Sequence, residues 1–125
     1  MLKTKDVMAT VAVRNLDAAT AFYEGKLGLE PAPSREEGVR GYKCGSATLL
    51  VYVSQYAGTN RATSATWIVG QDLERIVQDL KGKGVAFEHY DLPGTRREGD
   101  IHVAGGTRVA WFKDPDGNIL SLVNG

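Results

Sequence analysis

A chain of 125 residues, 42% apolar and 24% charged, is long enough to bury one core and too short for two independent ones. Fifteen basic residues against fifteen acidic ones leave no net charge, so no chain-wide field exists to gather nucleic acid or an anionic membrane surface. The opening MLKTKD has no apolar run of signal-peptide length, no stretch approaches the ~20 apolar residues that span a bilayer, and the lone Cys44 excludes an intrachain disulfide; the expectation is a cytoplasmic chain with no membrane partner.

The first β-rich run is VMATVAV, and after Asn15 a helical stretch places Leu16, Ala19, Tyr23 and Leu27 on one stripe. Gly28 stops that helix. Three extended runs follow, LEPAPSRE, VRGYK and ATLLVYV, the last two joined by the short turn CGS. Small polar residues in YAGTNRATS then separate a second copy of the same plan. Residues 1–56 are expected to form one module, 57–63 a linker and 64–125 a second module.

In that second copy ATWIV is strand-like, Gln71-Asp72 supplies a helix cap, and Leu73, Ile76, Val77 and Leu80 form a helical stripe ended by Gly82 and Gly84. Leu16 and Leu73 lie 57 positions apart. The extended runs VAFEHYD, TRVAWFK and NILSLVN complete it, and Asp114, Pro115 and Gly117 occupy the places a type I turn prefers. Each half reads β-α-β-β-β, so the fold class is α+β. One helix covers only one face of a four-stranded sheet, so the halves are expected to need each other, within the chain or across a homodimer.

The stretches VAVRNLDAATAFYEGKLGLE, WIVGQDLERIVQDLKGKGV and WFKDPDGNILSL, together with the paired plan, resemble the vicinal oxygen chelate superfamily. That group includes glyoxalase I, extradiol dioxygenases, fosfomycin-resistance enzymes and bleomycin-resistance proteins. The resemblance implies two βαβββ modules set edge to edge as an open, cup-shaped eight-stranded barrel, with helices outside and ligand inside. It also implies that members doing chemistry hold a divalent metal with His, Gln or Glu from the first and last strands of each module. Carried onto this chain, those positions are Met8, Ala65, Ser121, and Leu49 or a near neighbour. One hydroxyl and three apolar groups cannot offset an ion's dehydration, so no metal and no cofactor are expected. Alternative donors are His89, His102, Glu88 and Asp91, in a region that reads as a strand running into a charged loop.

Strand alternation sends Met8, Thr10 and Ala12 into the cup if Ala9, Val11 and Val13 pack under the helix. The 57-residue offset then sends Ala65, Trp67 and Val69 inward as well. Ser121 and Trp111 are expected inward, with Leu49 and Val51 beside them, and Tyr90, His102, Arg108 and the TRREGD loop, residues 95–100, supply a polar rim or lid. The candidate ligand-binding residues are therefore Met8, Thr10, Trp67, Val69, Tyr90, His102, Arg108, Trp111 and Ser121; no residue is assigned a catalytic role. Such a lining suits a flat, partly apolar small molecule. In the competing reading Trp67 and Trp111 are simply core. The expected function is metal-free binding of a small organic molecule, in the manner of the bleomycin-resistance branch. The alternative is a metal-dependent lyase, isomerase or dioxygenase of the same superfamily using His89, His102 or Glu88.

Overall fold

Asn15 ends the first strand and opens the first helix: its side-chain oxygen accepts from the Asp17 and Ala18 N–H groups at 2.8 and 3.1 Å, donors that a first helical turn leaves unpaired. In the computed structural model of the chain, which describes residues 1–33 and 37–125, this cap joins β1 (Ala9–Val13) to α1 (Leu16–Thr20). The helix continues as a π-helical turn over Ala21–Lys26, and Gly28 then takes φ +71°, a conformation that glycine adopts without a Cβ penalty. β2 (Glu30–Pro31), β3 (Val39–Cys44) and β4 (Ala47–Val53) complete the first half. The Ser34-Arg35-Glu36 end of the LEPAPSRE run lies outside the described residues.

The second half runs β5 (Thr63–Ile68), α2 (Leu73–Gly82), β6 (Phe87–Glu88), β7 (Arg96–Glu98), β8 (Ile101–Ala104), β9 (Thr107–Lys113) and β10 (Ile119–Val123). The first sheet has the order β1-β4-β3-β2, and the second β5-β10-β9-β8-β7, with β6 also paired to β9. In each sheet the first strand lies parallel to the last, β1 to β4 and β5 to β10. The two sheets meet where β1 approaches β5 and do not close into a barrel. With α1 and α2 this is an α+β cup left open, and its described residues carry ten strands where eight were expected.

The two additional strands are a correction to the charged loop. Residues 96–104 form a hairpin in which Glu98 faces Ile101 across Gly99-Asp100, with Gly99 at φ +61°. A glycine at the first of two turn residues is the pattern that a twisted two-residue hairpin favours. β6 occupies one stretch of the β9 edge, Phe87 opposite Phe112, and β8 the other, His102 opposite Val109.

One apolar layer holds the molecule together. Val11, Val13, Leu49 and Val51 from the first sheet join Ala110, Phe112, Leu120 and Leu122 from the second under both helices. The α2 stripe buries Leu73, Val77 and Leu80 in the same layer. Phe22, in the π-helical turn, reaches across to Phe112 with ring centres 6.3 Å apart, so the halves share a core. The linker is pinned too: Ala57 is buried, and a Cβ on Gly58, at φ +72°, would stand 1.9 Å from the Asp116 carbonyl oxygen.

The strand before α2 is displaced by one residue relative to its counterpart. Val13 precedes Leu16 by three positions, whereas Val69 precedes Leu73 by four. The extra residue is accommodated in a 3-10 turn over Gly70–Asp72, entered through Gly70 at φ +59°. That turn replaces the expected Gln71-Asp72 cap, for the Asp72 side chain caps nothing. A one-residue slip turns every side chain of a strand to the opposite face. The helices are 57 apart, but Val11 matches Trp67 and Val13 matches Val69, both pairs beneath the helices.

Candidate functional site

The face turned away from the helices is built by register. In the second sheet Trp111 lies opposite Ser121, and Ser121 lies beside Thr66, so β9, β10 and β5 each contribute one side chain to a row. Their neighbours Phe112, Leu120 and Leu122 point the other way and are buried. Ser121 is 3% exposed and its hydroxyl lies 2.7 Å from that of Thr66. The Trp111 indole N–H donates to the Thr63 hydroxyl at 3.0 Å.

His102 joins this face because it pairs with Val109, two residues from Trp111. Tyr90 joins it because Glu88, two residues earlier, pairs with Trp111. Their rings meet edge to face: His102 and Trp111 at 4.8 Å and 80°, Tyr90 and Trp111 at 5.3 Å and 77°. The structure therefore gathers Tyr90, His102, Trp111 and Ser121 on one sheet. Met8 and Thr10 stand on the corresponding face of the first sheet, exposed, with Thr10 paired to Leu50.

Three other candidate residues lie elsewhere. Trp67 and Val69 do not face the open side; with Leu27, Leu29, Ile76 and Leu80 they line a cleft of about 140 Å³ among the helices. The inserted residue before α2 is the physical reason. Arg108 forms no rim: it lies opposite the buried Val103 and pairs with Glu74 of α2 at 2.7 Å and Glu98 of β7 at 3.5 Å. Leu49 and Val51, also expected inward, are fully buried under the helices.

The same geometry tests the metal that the resemblance implies. Ala65 and Leu49 sit on the helix side, and the open-face residues beside them are Thr66 and Leu50. Met8, Thr66, Leu50 and Ser121 offer a thioether and two hydroxyls, and those hydroxyls are spent on each other. Such donors do not fit a divalent ion that prefers imidazole or carboxylate. Among the described residues, no group of three or more His, Cys, Asp or Glu side chains converges.

Sequence reasoning missed the partners that orient the two histidines. His89 Nε2 meets Asp100 Oδ1 at 2.7 Å, and Asp100 also holds Lys81 at 2.7 Å. His89 Nδ1 meets an Arg97 guanidinium nitrogen at 2.6 Å. The hydrogen bonds from Lys81 and His89 hold the Asp100 carboxyl below its ordinary range. The Gly99-Asp100 turn was a legible signal for the hairpin; the return of Asp100 to His89 was not.

Burial holds the His102 imidazole below the usual histidine range, partly offset by the Val109 backbone and reinforced by nearby His89 and Arg97. A histidine whose folded value is depressed binds fewer protons folded than unfolded, so its contribution to stability is present above about pH 6.5 and declines as pH falls below that. Urea unfolding at about pH 7 and pH 5 is expected to show this loss, and His102→Gln to flatten it. An unchanged slope in the variant would assign the acid sensitivity elsewhere.

Residues 7–122 match the family model described as Glyoxalase/Bleomycin resistance protein/Dioxygenase superfamily. No curated protein matches the chain. Among solved structures, a glyoxalase family protein from Enterococcus faecalis shares 21% identity and a TM-score of 0.72, over 98% of this chain and 99% of that one. The lactoylglutathione lyase of Agrobacterium tumefaciens gives 18% and 0.70 over 98% and 95%. The fosfomycin resistance protein FosX of Mesorhizobium loti gives 16% and 0.69 over 100% and 94%. The chain belongs to the glyoxalase/bleomycin resistance/dioxygenase superfamily. Among its described residues, no helix is long and apolar enough to cross a membrane.

Proposed function

We propose that this chain binds a small, partly apolar organic molecule against the open face of its sheets without a metal. It does so as a homodimer in the cytoplasm, where its single Cys44 stays reduced. The observation that carries this reading is the composition of that face. The Ser121 and Thr66 hydroxyls are paired with each other, while the rings of Trp111 and Tyr90 form a wall. Flat ligands gain dispersion and apolar burial against such walls. The names of two proteins that share the fold, the fosfomycin resistance protein and the lactoylglutathione lyase, point to small organic compounds. Residues 1–56 and 64–125, joined by 57–63, act as the two halves of the cup. Exposed Met8, Tyr52 and Ile68, on the same side as Thr10 and Thr66, are covered by the second copy.

The two tryptophans provide the test, because they lie on opposite faces. In Trp67→Phe the remaining Trp111 is expected to change emission with a compound from a metabolite and antibiotic panel; in Trp111→Phe the remaining Trp67 is expected not to. The binding compound should raise stability by about 2.7 kcal/mol at a hundredfold excess over its Kd. A response confined to Trp67, or no response and no stabilisation with any compound, would overturn the reading. Stoichiometric divalent metal in protein purified without chelator would overturn its metal-free part, and a monomer at micromolar concentration in light scattering its dimeric part.

A further inference from the structure

Beside the aromatic wall, between the end of β6 and the β7–β8 hairpin, a cleft of about 280 Å³ is lined by His89, Tyr90, Thr95, Arg97 and His102 among others. Two residues of this lining each carry a buried polar atom without a hydrogen-bond partner, His102 at Nδ1 and Tyr90 at its hydroxyl. His102 is 1% exposed, so its unpaired nitrogen is not simply hydrated. Buried polar atoms without partners are uncommon and call for an explanation.

The chemistry of the missing partner follows from the tautomer. His102 Nε2 accepts the Tyr90 backbone N–H at 2.9 Å. A lone pair at Nε2 places the proton of the neutral ring on Nδ1, which is therefore a donor lacking an acceptor. The Tyr90 hydroxyl is a second donor without a partner. Arg97 supplies charge. Among the described residues it meets no carboxylate, whereas Arg96 is paired with Glu98 and Lys81 with Asp100. Its guanidinium is held instead by neutral acceptors, His89 Nδ1 at 2.6 Å and the Gly99 carbonyl at 3.3 Å. Asp100, by accepting a hydrogen bond from His89 Nε2–H, keeps Nδ1 free to accept from Arg97. Asp91 is the one carboxylate in the lining and disfavours a doubly charged guest.

We propose that this cleft binds the carboxylate of a small organic acid, its oxygens accepting from His102 Nδ1–H and the Tyr90 hydroxyl with Arg97 facing the charge. Two neutral donors and one guanidinium without a carboxylate partner suit a single negative charge, and His102 Nδ1–H offers a cation no lone pair. The inference shares Tyr90 and His102 with the proposed function but does not require a ligand against Trp111.

Long-range proton–nitrogen NMR of the full chain tests it directly. In free protein the His102 proton is expected on Nδ1, and titration with acetate or benzoate should move that resonance and saturate at around 1 mM. Arg97→Leu, which alters an exposed side chain, should keep the fold and weaken benzoate binding about tenfold. Tyr90→Phe should weaken it with the His102 tautomer unchanged. A proton on Nε2, an Nδ1 resonance that neither acid moves, or Arg97→Leu binding as tightly as the parent would overturn the proposal. Inorganic phosphate acting as strongly as benzoate would overturn the carboxylate assignment. A compound that shifts Trp111 emission while His102 ignores both acids would sink this inference alone; the reverse pattern would sink the proposed function alone.

Discussion

Replacing Asp114 with alanine is expected to cost about 3–5 kcal/mol, a large share of the 5–15 kcal/mol that keeps a domain of this size folded. Asp114 begins the last hairpin turn, but its carboxylate is 5% exposed and accepts four hydrogen bonds. One oxygen takes the Asp116 and Asn118 N–H groups, both at 2.9 Å. The other takes the Tyr23 hydroxyl and the Asn118 side-chain N–H, both at 2.8 Å. Asn118 then passes its amide on to the Ala12 carbonyl at 2.7 Å, and Asp116 accepts the Arg14 N–H at 3.2 Å. The turn thus fastens the end of β1 and the helix of the first half to the second half.

Alanine at 114 strands four donors, two of them in side chains, the Tyr23 hydroxyl and one N–H of Asn118, and each unsatisfied buried group costs about 1–3 kcal/mol less whatever water recovers. Burial and the neighbouring Asp114 carboxylate push the Tyr23 phenol well above its ordinary range, so it remains a donor at every pH at which the protein folds. Tyr23→Phe removes only one of the four donors and should cost about 1 kcal/mol. Urea unfolding reads both variants through the midpoint at constant slope. An Asp114→Ala loss no larger than that of Tyr23→Phe would mean that the turn carries none of the attachment between halves.

Phe112→Ala is expected to cost about 3–5 kcal/mol through the cavity it leaves. The ring is fully buried, 5.6 Å from Phe87 and 6.3 Å from Phe22 between centres. Phe87 lies on the neighbouring strand, whereas Phe22 belongs to the other half, so the cavity opens at the junction of the two. Phe112→Leu keeps most of the volume and should cost under about 1.5 kcal/mol. Hydrogen exchange of the amides in the π-helical turn that carries Phe22 should speed up in the alanine variant more than exchange in β3, which is not paired with β9. Equal acceleration everywhere would show that the halves unfold as one unit and would remove Phe112 from any special place at their junction.

Much of this architecture was legible in local signals. β-rich runs marked most of the strands, the Leu73-Ile76-Val77-Leu80 stripe marked α2, and DPDGN marked its hairpin, because a turn needs particular residues at particular places. The charged run RRE concealed β7, whose strand form comes from pairing with β8 at the sheet edge rather than from its own apolar pattern. Arg108 read as a rim residue because charge belongs on a surface, yet its partner Glu74 lies 34 positions earlier on α2. His102 read as a rim residue or an alternative metal donor; the Tyr90 N–H that sets its tautomer comes from another strand run.

Periodicity and turn chemistry act over a few residues, so the chain alone marks a repeated strand–helix–strand order, the DPDGN hairpin, and the poverty of metal donors at the implied ligand places. Packing in three dimensions settled which side of the second sheet each residue occupies, since one inserted residue between Val69 and Leu73 reverses a strand. It also settled which charges neutralise one another and which buried donors are left over, because those depend on groups that only folding brings together.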